Sequence, residues 1–504
     1  MSNLVGIDLG TTYSAISRLN ENGLPVIIHN SDGQNITPSV VSFIDKKTSD
    51  VSETAEKNLF EDENTFGRFK RHMGEDKTYK AFGIKHTPTS LSALVLKKLK
   101  EDAEKSIGKI DKAVITIPAN FSSKAREETM QAAKMAGLNV KNIINEPTAA
   151  ALYYALSSGN NLSGTFAVYD LGGGTFDISI MKVNGSDIEI IATEGVQELG
   201  GHDFDNKICD LVKSKFKEET GEELADEVFN CLSAESIKRD LSKRDKVRTS
   251  RLSSGTASAR IEITREEFED SISTMIANAE MLCEGAMDDA GVTKDDITDV
   301  ILAGGSTRIP YISESVKKVF GKDPVTFSNP DEAVALGAAL FIAYKSDPSD
   351  LTPLQKKSIE KVKISDISSK YFGTLALVKN TATDIKEIQN CVIIKKGEKI
   401  PCVVTESFYT TQDGQTGLDC SVTEANTEES DQEFVNIRCN ESLPLPGGRA
   451  SGQEIQITYS YNDNQIMICS FLDVASGAKK DIEVDVSAGE SKDSEIDIND
   501  FTVE

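Results

Sequence analysis

The sequence predicts an α/β domain followed by an all-β domain, and three observations carry that expectation. Up to about residue 345, short β-branched runs (LVGIDLG, AVITIPA, TFAVYDLG, DVILAGG) alternate with helical patterns such as SALVLKKLKEDAEKSIG and SSKAREETMQAAKMAGL, the texture of an α/β sheet. From about residue 367 the pattern changes to short strands broken by Gly and Asn turns, as in VIIKKGEKIP and QEIQITYSYNDNQIMICSFL, which reads as antiparallel β structure. Between the two lies DPSDLTP, a cluster of Pro and Asp that punctuates the chain. The expected divisions are therefore a first domain over 1–346, a linker over 347–366, a β domain over 367–485 and a tail over 486–504. That last stretch, SAGESKDSEIDINDFTVE, is acidic and lacks a sustained apolar period, so it is expected to be flexible.

Composition agrees with a large folded chain. At ~150 residues per domain, 504 residues suggest two to four domains. Hydrophobic residues at 38%, with 35 Gly and 13 Pro, exclude disordered and collagen-like classes. The 55 Lys and Arg against 81 Asp and Glu give a net charge of −26. A field of that sign repels a nucleic-acid backbone and an anionic bilayer, so neither is an expected partner. The opening MSNLVGIDLG has no basic region ahead of an apolar one, and no run approaches the ~18 apolar residues of a spanning helix, so a cytoplasmic location is expected. Eight cysteines show no C-x-x-C pair and only four histidines accompany them, so neither a zinc site nor a disulfide framework is expected. The cysteines read as small buried hydrophobes.

The chemistry concentrates in a repeat. VGIDLGTTYSAI at Val5 to Ile16 recurs as AVYDLGGGTFDISI at Ala167 to Ile180. In each, an apolar strand ends in Asp-Leu-Gly, a turn of small residues follows, and a second apolar strand leaves. Such a turn gathers backbone N–H groups into one concavity that an oxyanion can approach, because no side chain intervenes. Thr11, Thr12 and Thr175 add hydroxyls, and Asp8, Asp170 and Asp177 offer hard oxygens for Mg²⁺ or its waters. A single copy would read as an ordinary hairpin; two matched copies imply duplicated lobes holding a triphosphate between them. DVILAGGSTRIP supplies a third Gly turn at Gly304 and Gly305. Taken alone, Glu146 in INEPTAAALYYAL is a good helix start and Lys70 in GRFKRHMG a solvated charge.

Six motifs in order, IDLGTT, NEPTAAA, DLGGGTFD, LGGHDFD, GGSTRIP and NPDEAVALGAA, resemble the nucleotide-binding domain of the 70-kDa heat-shock chaperones, the DnaK-type family. The resemblance implies an actin-like and sugar-kinase-like two-lobed ATPase fold followed by a peptide-binding β sandwich, with ATP or ADP and Mg²⁺ in the cleft. It assigns Lys70 to the attacking water and γ-phosphate, Thr175 to the γ-phosphate, and Asp8, Glu146, Asp170 and Asp177 to the Mg²⁺ and water shell. Gly10, Thr11, Thr12, Gly172, Gly173 and Gly174, with Tyr13 beside them, would hold the phosphates. The pattern ESIKRDLS gives Glu235 and Lys238 to the ribose, Arg239 to adenine by stacking and Ser242 to its edge, and Gly304, Gly305, Ser306, Arg308 and Asp331 close that pocket.

The resemblance also implies function and partners: an ATP-hydrolysing chaperone in protein folding and the stress response, binding unfolded or dedicated client segments, with a J-domain co-chaperone and a nucleotide-exchange factor. Departures from the family pattern qualify this. The linker, elsewhere a run of leucines, reads Val362, Lys363, Ile364, Ser365, Asp366, and Met130 and Asn142 stand where basic docking residues are usual. Weak coupling between domains is expected. In the β domain Leu377, Thr411 and Leu418 fall near groove and arch positions, and equally fit as sandwich core or loop residues. The acidic stretch stands in place of the family's helical lid, so an open groove is expected. The alternative is a non-cycling interaction protein in which ATP is structural and the β domain docks on one complex.

Overall fold

The structure is a computed structural model that describes residues 2–158, 162–185, 187–327, 329–360, 362–379, 386–462, 466–484 and 497–504. The chain forms two compact units, one of Met1–Ile188, Thr193–Lys363 and Glu490–Glu504, the other of Glu189–Ala192 and Ile364–Gly489.

The first unit is built on two sheets of matching plan. In one, Leu4–Asp8 lies between Lys112–Ile117, its parallel neighbour, and Tyr13–Leu19, its antiparallel one. In the other, Ser163–Leu171 lies between Ile297–Ala303, parallel, and Phe176–Asn184, antiparallel. The sequence repeat is thus a structural repeat. Both strands that end in Asp-Leu-Gly are covered on two faces, which is why Val5, Ile7, Phe166, Ala167 and Val168 form near-continuous apolar runs. Two helices, Glu146–Ser157 and Pro330–Lys345, pack together through small residues. Ala149, Ala150, Ala335, Ala338 and Ala339 are all buried, so the helices approach closely, with Pro330–Lys345 lying on Leu4–Asp8 and Tyr13–Leu19 and Glu146–Ser157 reaching Ser163–Leu171 and Phe176–Asn184.

Two parts of the chain differ from the sequence expectation. The segment read as a linker over 347–366 is structured on the first unit as far as Lys363. Thr352 caps a short helix, Pro353–Ile359, in a capping box with Gln355. The Gln355 amide also donates to the carbonyls of Leu19 and Asn20 at 3.1 and 3.2 Å, and Lys112 holds Asp350 at 2.7 Å. Lys361 lies outside the described residues.

The second difference is the tail. Residues 486–496, Ile496 among them, lie outside the described residues, but 497–504 fold into the first unit as a short turn and strand rather than a flexible end. Asp497 caps a 3₁₀ turn over Ile498–Asp500, and Thr502–Val503 pairs in parallel with Thr48–Asp50. Ile498, Phe501 and Val503 enter the core that contains Phe43, Leu94 and Leu96, and Phe501 meets Phe43 and His86 edge-on at 6.1 and 5.9 Å. Lys97 donates to the carbonyls of Ile498 and Phe501 at 3.1 and 2.6 Å. The acidic composition concealed an Ile-x-x-Phe-x-Val spacing that one sheet edge and one helix can bury.

The second unit contains two four-stranded sheets with antiparallel pairings. One holds Lys386–Ile394, Tyr371–Lys379, Gly417–Ala425 and Asn436–Pro444; the other holds Cys402–Tyr409, Glu454–Tyr461, Met467–Asp473 and Lys479–Val484. They share one core: Phe372, Ile394 and Val422 from the first meet Ile457, Tyr459 and Phe471 from the second. The strict alternation of burial along Glu454–Tyr461 is that of a strand with one wet face, and the Tyr459 hydroxyl ties the sheets by donating to the Gly373 carbonyl at 2.6 Å. Cys420 and Cys469 are buried in this core as hydrophobes. Among the described residues, no helix is long and apolar enough to cross a membrane.

Candidate functional site

The two Asp-Leu-Gly turns of the first unit face each other across a cavity of about 570 Å³. The strand-to-strand turns put them there: each sheet ends its central strand at an Asp, and the loop that follows reaches the opposite lobe. Contact between the loops is close. A Cβ on Gly173 would sit 2.0 Å from Thr12 Oγ1, so only glycine lets the two cradles meet. The helix Gly201–Thr220 begins against the second cradle, its Gly201 and His202 amides donating to the carbonyls of Gly172 and Gly173 at 3.0 and 2.8 Å. The third turn needs glycine for its backbone: Gly304 has φ of +83°, and a Cβ there would sit 2.4 Å from the Leu171 carbonyl oxygen.

At the cavity floor are buried carboxylates and one lysine. Lys70, on the 3₁₀ turn Phe69–His72, is 4% exposed and pairs with Glu146 Oε1 at 2.6 Å. Its burial excludes the solvated surface charge that composition favoured. Glu146 is the first residue of its helix, behind Asn145 and ahead of Pro147. Burial pushes the Asp8 carboxyl up to about 7, with Glu146 adding to the rise and Lys70 and a Thr116 hydrogen bond opposing it. Thr116 Oγ1 donates to Asp8 Oδ1 at 2.8 Å. Asp170 is pushed well above the usual carboxylate range by burial, then by Glu146, Asp177 and Asp8, and its Oδ2 is buried without a hydrogen-bond partner among the described residues. Among the described residues, four carboxylates (Asp8, Glu146, Asp170 and Asp177) act on one another beside the Lys70 ammonium, leaving an excess of negative charge, the condition that a cation relieves. Among the described residues no three acidic, His or Cys side chains converge as direct ligands; the hard carboxylate oxygens present are of the kind Mg²⁺ takes.

The opposite end of the cavity is formed by the helix Cys231–Leu241 and the turn after Ile297–Ala303. Lys238 is held by Asp205 Oδ1 at 2.7 Å and donates to the Gly201 carbonyl at 2.8 Å. Arg239 pairs with Glu235 Oε1 at 2.6 Å, donates to the Tyr13 hydroxyl at 2.9 Å and lies over the Tyr13 ring at 5.6 Å. Tyr13 in turn donates to Glu56 Oε1 at 2.7 Å. Arg239 therefore bridges the lobes through an aromatic face of the protein itself. Ser242 donates its hydroxyl to the Lys238 carbonyl at 3.0 Å, and Arg308 pairs with Asp331 Oδ2 at 2.6 Å.

The cavity is lined by Asp8, Gly10, Thr11, Thr12, Tyr13, Lys70, Glu146, Asp170, Gly172, Gly173, Thr175, Glu235, Lys238, Arg239, Ser242, Gly304, Gly305, Ser306, Arg308 and Asp331. Gly174 and Asp177 stand behind this surface. Gly174 packs against Thr11 and Arg71, and Asp177, 2% exposed, accepts from the Asn120 amide at 3.2 Å. Arg68, His202 and Asp205 also line the cavity, and motif spacing alone did not select them. His202 and Asp205 belong to LGGHDFD, and Arg68 precedes Lys70 by two residues, so proximity to a quoted motif was the available signal.

The sequence profile of the Hsp70 protein family matches residues 4–82 and 76–500. The chain belongs to the Hsp70 family. Membership implies the actin-like, two-lobed ATPase fold. Hsp70 proteins are ATPases that bind ATP or ADP with Mg²⁺, engage unfolded clients, and work with J-domain and nucleotide-exchange partners. In this Hsp70 protein the three proposed groove residues are spread over the second unit. Leu377 is exposed on Tyr371–Lys379 opposite an exposed Ile388, Thr411 is exposed after Cys402–Tyr409, and Leu418 is half-buried against the core.

Proposed function

We propose that this Hsp70 protein binds Mg²⁺ and ATP in the cleft of its first unit, hydrolyses the γ-phosphate slowly, and contacts client segments through exposed strand faces of its second unit. The observation that carries the reading is the buried Lys70–Glu146 pair at 2.6 Å, set among Asp8 and Asp170 where the two cradles meet. Phosphoryl transfer asks a protein for position and charge neutralisation rather than covalent chemistry, and these residues supply both. The amides of Gly10, Thr11, Gly172 and Gly173 receive the phosphate oxygens, and Thr175 adds a hydroxyl. Lys70 neutralises charge developing on the γ-phosphate and orients the attacking water, while Glu146 fixes the ammonium. Asp8, Glu146, Asp170 and Asp177 would hold Mg²⁺ through its water shell, and the ion would supply positive charge to neutralise the phosphates. Glu235, Lys238, Arg239, Ser242, Gly304, Gly305, Ser306, Arg308 and Asp331 would take the nucleoside, Arg239 exchanging the Tyr13 face for the adenine face.

On the client side, the exposed Leu377 and Ile388 form a directly opposed apolar pair on one face, suited to an extended segment with alternate apolar side chains; Leu418 and Thr411 are the further proposed contacts. The protein acts in the cytoplasm in this reading. Turnover tests it. Lys70→Ala should remove Mg²⁺-dependent ATP hydrolysis while calorimetry still registers ATP binding, and equal turnover in the variant would overturn the assignment.

A further inference from the structure

Beside the nucleotide cleft, and outside the machinery just described, two thiols face each other across a helix seam. Cys209 is buried in the helix Gly201–Thr220, and Cys231 is the first residue of the helix Cys231–Leu241, the element that carries Glu235, Lys238 and Arg239. The Cys209 thiol donates to Cys231 Sγ at 3.9 Å, and when neutral the Cys231 thiol donates to Asn206 Oδ1 at 3.2 Å. The hydrogen bond from Cys209 brings the Cys231 thiol down to about 6, helped by the Arg68 guanidinium beside it and opposed by burial. The same contact pushes Cys209 up. Burial pushes the remaining six thiols, Cys283, Cys391, Cys402, Cys420, Cys439 and Cys469, upward. Cys231 is thus the sulfur with thiolate character at neutral pH, half-buried, with a resolving thiol in contact, the pattern of an oxidisable pair. Arg68 comes from the other lobe and lines the cleft, so its interaction with Cys231 links the two lobes beside the cleft.

We propose that Cys209 and Cys231 are a peroxide-sensitive dithiol site, and that its closure to a disulfide releases Arg68 and loosens the cleft around its nucleotide. In the first step the Cys231 thiolate attacks one oxygen of hydrogen peroxide. The O–O bond breaks, Cys231 becomes a sulfenic acid, oxidised by two electrons, and the hydroxide that leaves takes a proton to become water. In the second step Cys209 gives up its proton and its sulfur attacks Cys231 Sγ; the S–O bond breaks, a second water leaves, and the S–S bond forms. Two thiols and one peroxide become one disulfide and two waters. The sulfurs must close from 3.9 Å to about 2.05 Å. The disulfide carries no charge, so the charge-assisted contact to Arg68 is exchanged for a bond wholly within one lobe.

The second half of the proposal rests on the cleft being a nucleotide site, so the test reads the two halves separately. The full chain is reduced, loaded with a fluorescent ADP analogue, treated with hydrogen peroxide, alkylated and digested. The expected result is a peptide pair joined through Cys209 and Cys231, two hydrogens lighter than the reduced pair. Analogue release should be several-fold faster, reversed by dithiothreitol and unresponsive to peroxide in Cys231→Ser and in Cys209→Ala. Absence of the joined pair, or Cys231 sulfinic acid with Cys209 unmodified, overturns the dithiol site. A joined pair with unchanged release overturns its link to the cleft. A chain that never takes up the analogue refutes the nucleotide reading instead, and the peptide map still decides the dithiol.

Discussion

Asp8 shows how a single residue can be costly to the fold and necessary to the function. Half-buried beside the buried Glu146 and Asp170, its carboxyl is raised from 3.8 to about 7. Between those two pH values the folded chain keeps a proton that the unfolded chain has released, so stability falls as pH rises from about 4 to 7. Asp8→Asn keeps an acceptor for Thr116 and removes the charge. Without nucleotide or Mg²⁺, the variant should be more stable than wild type at pH 8, by on the order of 3 kcal/mol, with a flatter stability profile in urea titrations from pH 5 to 8. The same change should abolish Mg²⁺-dependent turnover. A variant no more stable than wild type at pH 8 would mean that this carboxyl carries no net burial penalty.

At the scale of elements, the segment 497–504 decides how the first unit is completed. Its strand pairs with Thr48–Asp50, its Thr502 and Glu504 amides donate to the carbonyls of Lys47 and Ser49 at 2.9 Å each, and Ile498, Phe501 and Val503 are buried. Loss of a buried Phe side chain costs about 3–5 kcal/mol, and Phe501→Ala should lower the urea midpoint of the first unit by a corresponding amount. Deleting 497–504 should cost more, because the Thr48–Asp50 edge and the apolar faces of Phe43 and His86 would then be exposed. A synthetic peptide of residues 494–504 should bind the deleted chain and restore its midpoint. Identical midpoints for the full and deleted chains would show that the segment adds nothing to this unit's stability.

For the whole molecule, Lys363 and Ser365 interrupt the apolar stretch between the units, and Lys363 is exposed. Unfolded peptide should therefore change the ATPase rate little, and Leu at both positions should raise the response by restoring apolar area worth ~25 cal/mol per Å² on docking; strong stimulation of the wild type would contradict this. The sequence by itself determined the α/β-then-β order, the two cradles and the residues at their tips. Strand ends and glycine turns are local, and their chemistry is written within a dozen adjacent residues. Only the tertiary structure decided that Lys70 is buried on Glu146, that Arg68 and Asp205 belong to the cleft, that Arg239 rests on Tyr13, and that Cys209 meets Cys231. It also decided that 497–504 is core and that 353–359 is helix on the first unit. Each of those facts depends on groups distant in sequence being brought together, where burial and pairing set charge state and order. Local composition, which marked the last residues as acidic and hence solvated, carries no information about which distant surface will bury an Ile, a Phe and a Val.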